Sequence, residues 1–414
     1  MKKQKIAIIG SGISGLSAAY FLRENFDVTI FEERGRLGGH ARTIITPDEN
    51  KIPIDTGFIV FNYANYPHLA KLFQDLNVKV EKSNMSFGAS FSNSNYEYAL
   101  ANFSSLFVNN NITNIYHYRM IKDILRFNRY AQKSSLKERE TIFELFQRLK
   151  LGSEFINRYF LPISGAIWSA TPEQMKQTPA SFILKFFRNH NLVSITGHHQ
   201  WYTVSNGSQQ YVSKLENELI SKKVNLKLNM KNLVINNNSV ISDDYCENFD
   251  KIILATHSDQ ALKICKQLSV RQIEGLNLIA YQKNQVILHS DETLMPKNKK
   301  CWASWVYLGS DIFHEDRIPL TYWMNNLQNI DSKKQYFVTL NNNSIREDKI
   351  LDITTLHHPI FNMSSLEGQD ILRKSQGENN IYLVGAYMGN GFHEDGIESS
   401  YVVTEEIKMK AKID

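Results

Sequence analysis

Residues 6–9 (Ile-Ala-Ile-Ile) form a short unbroken apolar run, the pattern of a strand buried on both faces. Residues 16–22 then read as a helix, and Asp27–Phe31 as a second strand. Further along, apolar positions recur at i, i+3 and i+4 over residues 67–76, 115–131 and 141–151, which predicts helices. Pro162, Pro172 and Pro179 punctuate this stretch, so residues 66–191 read as mostly helical. A further helix is expected over residues 211–222, with strands over 224–235. Residues 280–289, 302–307, 320–324 and 336–340 read as antiparallel strands dense in aromatics. Residues 381–386 form a last strand ending in glycine, followed by a helix over 397–408.

The chemistry enters with Gly10, Gly12 and Gly15, which stand in G-x-G-x-x-G spacing between the first strand and the first helix. Gly10 permits the tight turn, Gly12 lets backbone amides approach a diphosphate, and Gly15 lets helix pack on strand. Ser11, Ile13 and Ser14 complete this loop, whose helix N-terminus presents free N–H groups and a positive dipole end to phosphates. Glu32, with Glu33 beside it, ends the second strand 22 positions beyond Gly10, where a carboxylate can accept hydrogen bonds from a ribose. A dinucleotide site follows from this combination.

Composition adds bounds. The chain has 414 residues, 42% hydrophobic and 21% charged, enough for a large core in two interleaved domains. A net charge of +5 is spread along the chain among acids, so nucleic acid is not implied; an anionic membrane surface is the minority alternative to a solvated one. Cys246, Cys265 and Cys301 have no metal-ligand spacing, which predicts reduced thiols in a cytoplasmic protein without zinc or structural disulfide. No apolar run approaches the ~20 residues of a membrane span. Phe182, Ile183, Leu184, Phe186 and Phe187, interleaved with Lys185 and Arg188, read as core under a solvated face, or alternatively as a membrane-touching face.

The segment from Glu32 to Thr43, with Arg36, Gly38 and Gly39, resembles the E-x-R-x-R-x-G-G-R-x-x-[ST] sequence of the flavin-containing amine oxidoreductases. His40 stands where most members carry arginine, and Arg42 is the substitute cation. Asp55-Thr56-Gly57-Phe58 is similar to the family's D-x-G turn beneath the flavin. Residues 201–210 resemble its return segment, Asn232 and Leu233 fall on the adenine side, and residues 249–256 resemble the strand that closes the sheet. Gly385, Ala386, Gly396 and Ile397 resemble its second flavin motif, a helix N-terminus at the flavin N1 and O2 edge, with Ala386 replacing the usual acid. The resemblance implies non-covalent FAD and a Rossmann-like FAD domain interleaved with an α+β substrate domain of antiparallel sheet and helical cap. The FAD domain takes residues 1–65, 200–262 and 362–414, the cap 66–199 and the sheet 263–361. Lys283 is the position nearest the family's flavin-side lysine, with Asn284 and Gln285 as alternatives, and His393, Glu394 and Asp395 sit at one cage wall. His393 and Glu394 are candidates for proton handling, and Asp395 for capping the helix.

DTGFIVFN, NMSFGAS, AIWSATP, CWASWVY, TYWMN and GAYMGNGFHEDG resemble a bacterial subgroup of NAD/FAD-binding proteins often encoded beside cyclopropane-fatty-acid-synthase-like methyltransferases. This resemblance implies a hydrophobic substrate, such as a methylated fatty acyl chain undergoing desaturation or oxidation, with a methyltransferase and the inner face of the membrane as candidate partners. Amine oxidation at a C–N bond and a non-catalytic subunit role are the alternatives.

Overall fold

The computed structural model describes residues 3–49, 51–133, 140–168, 170–194, 197–309 and 319–412. The first strand is Lys5–Ile9, the helix after the glycine loop Ile13–Leu22, and the second strand Asp27–Phe31. These strands join Asn225–Lys227, Lys251–Leu254 and Ile381–Leu383 in one parallel sheet, with Lys5–Ile9 at its centre. Ile6, Ala7, Ile8, Ile252, Ile253 and Leu254 are fully buried, as a parallel sheet covered on both faces requires. Three chain segments far apart in sequence thus build one dinucleotide domain, in the interleaving the sequence predicts.

The second sheet has seven strands, ordered Ile350–Pro359, Tyr281–His289, Phe337–Leu340, Leu320–Trp323, Trp305–Gly309, Phe87–Phe91 and Tyr96–Ala99. It departs from expectation in two ways. Strands Phe87–Phe91 and Tyr96–Ala99, together with Val80–Ser83, come from the stretch read as helical, so the segment 66–199 is not a helical cap alone. Phe87, Ala89, Phe91, Tyr96 and Tyr98 are apolar at alternate positions within strands buried almost throughout, a period of two that the surrounding helical spacing hides. Trp305–Gly309 also pairs parallel with Phe87–Phe91, so the sheet is antiparallel except at that join. Strand Ile350–Pro359, unpredicted, forms one edge by pairing along Tyr281–His289.

Helices Ile115–Lys133, Ile142–Arg148, Leu161–Trp168 and Ala180–Asn189 pack against this sheet around one aromatic-rich core. Phe182, Ile183, Leu184, Phe186 and Phe187 are all buried within it, which excludes a membrane-touching role for that segment. Among the described residues no helix is long and apolar enough to cross a membrane.

Candidate active site

The glycine loop has the stereochemistry its spacing predicts. Gly10 has φ +101°, and a Cβ there would meet the Ala255 carbonyl oxygen at 2.7 Å. A Cβ on Gly15 would lie 1.9 Å from the Gly10 carbonyl oxygen, whereas one on Gly12 meets nothing within 4 Å. Gly12 therefore faces open cavity at the N-terminus of helix Ile13–Leu22, while Gly15 is a packing residue. The Glu32 carboxylate accepts from Ser11 N (2.9 Å), Ser11 Oγ (2.6 Å) and Arg34 N (2.9 Å). Glu32, Glu33, Asn232 and Leu233 line this end of the cavity.

The glycine pair behind Glu32 is held differently from expectation. The half-buried Arg36 guanidinium donates to the carbonyls of Gly39 (3.0 Å), Leu37 and Ala41 (both 3.3 Å), clamping its own loop rather than facing a phosphate. Arg42 forms a two-pronged pair with Asp352 (2.7 and 2.9 Å) and donates to Thr56 Oγ1 at 3.0 Å, so it does not replace the missing arginine. Gly38 packs against Ala41 and Val212. Thr43 and Asp55 also lie outside the cavity: the buried Asp55 carboxylate accepts from Thr43 Oγ1 (2.6 Å), Ser208 N (2.9 Å) and Ser208 Oγ (2.8 Å). Burial pushes Asp55 up to about 6. The network ties the turn before Gly57 to the start of helix Gln209–Ser221.

His40, Gly39, Thr56, Gly57 and Phe58 do face the cavity. His40 Nε2 is buried with no hydrogen-bond partner, and its ring lies 5.7 Å from His257 and 6.0 Å from His358. Burial pulls His40 down to about 4, and His257 and His358 to about 3, so all three are neutral imidazoles near pH 7.

At the other end of the chain, Gly385 and Ala386 line the cavity, but the final helix begins at His393, ahead of Gly396. Gly396 and Ile397 are packing residues; a Cβ on Gly396 would meet Ser14 Oγ at 2.7 Å, and Ile397 is fully buried. Asp395 accepts from Phe392 N at 2.7 Å and caps the helix. Glu394 is turned away from the cavity, accepting from His68 N (2.8 Å) and Leu69 N (3.0 Å) at the start of helix Pro67–Asp75. Burial lifts it to about 7. His393 alone of the proposed catalytic set reaches the cavity, stacked on Phe58 at 3.9 Å with Nε2 3.0 Å from the Tyr211 hydroxyl. Burial keeps it neutral, at about 3. Lys283 sits on the exposed face of its strand and is not a flavin-side base. Asn284 is buried and bonds His358 Nδ1 (3.1 Å) instead.

The cavity, about 1930 Å³, runs on from this crevice into an arm between sheet and helices. Tyr159, Ile163, Ile167, Trp168, Phe186 and Phe361 line the arm. None was assigned to a cavity from sequence, and Phe186 read as core or membrane face, because apolar positions at helical spacing look alike whether they face core or cavity. Asn128 Oδ1, Trp168 Nε1, Trp305 Nε1 and Tyr387 OH are buried polar atoms of the lining without a protein partner. Among the described residues no group of ligands suits a metal ion.

A parallel sheet with a glycine loop, a ribose-height acid and a cavity crossing into a second domain defines a dinucleotide-binding protein. The chain belongs to the flavin containing amine oxidoreductases, whose family model matches residues 13–342. Protoporphyrinogen oxidase 2 of Arabidopsis thaliana is 35% identical over 77 residues, which span 18% of this chain and 14% of that enzyme. Two solved structures share the fold: a CLA-producing fatty acid isomerase from P. acnes (TM-score 0.68, 14% identity, 98% of this chain and 99% of that one) and cyclohexylamine oxidase from Brevibacterium oxydans IH-35A (0.69, 12%, 98% and 100%). Membership of that family makes FAD the dinucleotide of this fold. The open space before Gly12 and the unpartnered His40 Nε2 fit that cofactor. The loop 10–14 would hold its diphosphate, Glu32 a ribose, and Asn232 and Leu233 its adenine. When bound, FAD supplies a two-electron acceptor for hydride.

Proposed function

We propose that the enzyme removes hydride from a carbon of a hydrophobic substrate, a fatty acyl chain undergoing desaturation or oxidation. The character of the cavity arm carries this reading. Charged side chains of the lining are Glu32, Glu33, Arg34 and Lys263 toward the dinucleotide end and Lys82 at a surface opening; the arm between has none among the described residues. Its free indole N–H groups, Trp168 Nε1 and Trp305 Nε1, are donors that need an acceptor. An acyl carboxyl or ester oxygen accepts from them; an ammonium group, which only donates, leaves them unsatisfied and is itself buried without a counter-charge.

For desaturation, two C–H bonds break and a C=C bond forms. The proton would pass to a base of this chain, while bound FAD would supply the acceptor for the hydride. His393 and His190, neutral imidazoles of the lining, are the bases offered; burial holds His190 at about 4. A solved structure of this fold, a fatty acid isomerase, is in keeping with this reading. A second reading, amine oxidation, draws on Phe392 stacked 5.1 Å from Phe186, an aromatic wall able to face a cation. Anaerobic mixing of purified protein with acyl lipids and with amines separates the two: loss of flavin absorbance with lipids supports the first, with amines alone the second.

A further inference from the structure

The cavity reaches the surface at Leu100, Ala101, Asn102 and Phe103, all exposed and all part of its lining. The surface there is unusual. Single exposed hydrophobics are normal on a folded protein, but a contiguous set marks an interaction site. Among the described residues, seven of the nineteen exposed large hydrophobics lie within residues 100–125: Leu100, Phe103, Ile112, Ile115, Tyr116, Tyr118 and Leu125. Phe103 is 78% exposed, Ile112 60% and Ile115 57%, on short turns and the first turn of helix Ile115–Lys133.

The same face is strongly basic. Arg119, Lys122, Arg126, Arg129 and Lys133 occupy the solvent side of that helix, and exposed Lys299 and Lys300 stand on the turn whose Cys301 packs against Ser105. Between Glu97 and Glu138 the sequence has one acidic residue, Asp123, and it is taken up by Arg126 at 2.7 Å and Gly152 N at 2.8 Å.

We propose that this face, residues 100–133 with Lys299 and Lys300, docks on an anionic lipid bilayer and sets the cavity mouth against it. Phe103, Ile112 and Ile115 reach the level of the acyl chains while the lysines and arginines meet phosphate headgroups. A second copy of this chain is a poor occupant, because a two-fold contact would set like charges against each other. Delivery of substrate from the bilayer through the mouth rests on the acyl reading above; docking itself does not.

The test uses the full-length holoprotein and vesicles of phosphatidylcholine with or without phosphatidylglycerol, read by co-sedimentation. The protein sediments with phosphatidylglycerol vesicles, and salt releases it. Lys122→Glu with Arg129→Glu weakens binding at least 25-fold, at about fivefold per cation removed. Ile112→Ser with Ile115→Ser abolishes it, and Val270→Ser, at an exposed apolar residue elsewhere, leaves it unchanged. All variants keep bound FAD and their melting temperature, which separates lost docking from lost folding. No sedimentation with either vesicle, or binding that ignores both double variants, overturns the proposal. Self-association in ultracentrifugation that these variants abolish overturns it too, assigning the face to a second copy. Vesicle binding without flavin bleaching by lipids leaves the surface standing and removes the acyl reading.

Discussion

Replacing Gly12 and Gly15 separately pulls apart cofactor binding and folding within one loop. At Gly12 the backbone is extended (φ −67°, ψ 179°), open to any residue, and a Cβ meets no atom within 4 Å. Gly12→Val therefore leaves the apoprotein folded, with a stability change within about 1 kcal/mol, since Gly replacements at compatible positions act mainly through the unfolded chain. Its side chain fills the space a diphosphate needs to meet the amides of helix Ile13–Leu22. A hydrogen bond to a charged group is worth about 1.5–3 kcal/mol, so losing two weakens FAD binding roughly a thousandfold. Gly15→Ala instead puts Cβ 1.9 Å from the Gly10 carbonyl oxygen, and its overlap with fixed backbone costs more than the about 1–3 kcal/mol of ordinary overpacking. The assay is titration of apoprotein with FAD by flavin fluorescence, beside thermal melting of apo and loaded forms. Gly12→Val keeps the apo melting temperature and loses the increment FAD adds; Gly15→Ala lowers both. A Gly12→Val protein purified with stoichiometric FAD at unchanged affinity refutes the placement of the site.

Acid sensitivity follows from the buried imidazoles. His40, His117, His190, His257, His289, His358 and His393 are held at about 3–4, below an unfolded value of 6.5, so unfolding takes up their protons between those limits. Asp55, Glu394 and Asp395, lifted to about 6, 7 and 6, act in the opposite sense. Near pH 5 the net uptake is roughly four protons, so apoprotein stability falls by several kcal/mol per pH unit on acidification; a flat melting profile from pH 7 to 5 contradicts this. Glu394→Gln, at a helix start, shifts stability by about 1 kcal/mol or less at pH 6 and leaves kcat alone, whereas His393→Ala keeps FAD and lowers kcat roughly 100- to 10,000-fold. Equal losses of kcat in steady-state assays would show that their roles are not divided. Arg42→Ala and Asp352→Ala each cost about 1–3 kcal/mol in denaturant unfolding, and the double variant less than their sum. Strict additivity excludes the pair as a unit.

The dinucleotide domain was legible because each local signal agrees with the global fold: strand Lys5–Ile9, the glycines and strand Asp27–Phe31 are one contiguous unit. Residues assigned by resemblance fared according to their side-chain freedom. Backbone-dominated positions such as Gly39, Gly57, Gly385 and Ala386 do line the cavity. Long charged side chains did not follow, because local partners compete for them: Arg36 turns to carbonyls 1–5 residues away, and Arg42 to Asp352 on a strand the sequence did not reveal. Glu394 and His393 are adjacent on one helix, and the 100° step between neighbours sends one to Leu69 and the other to the cavity. The apolar arm was invisible, since Ile163, Trp168 and Phe186 differ from core residues only in what lies opposite them.

The most direct measurement is the anaerobic absorbance of the FAD-loaded protein near its flavin maximum as substrates are added. A hydrophobic-substrate oxidoreductase loses that absorbance with acyl lipids, regains it on admitting oxygen or a carrier, and stays yellow with small amines. Bleaching by amines with none by any lipid would contradict the account.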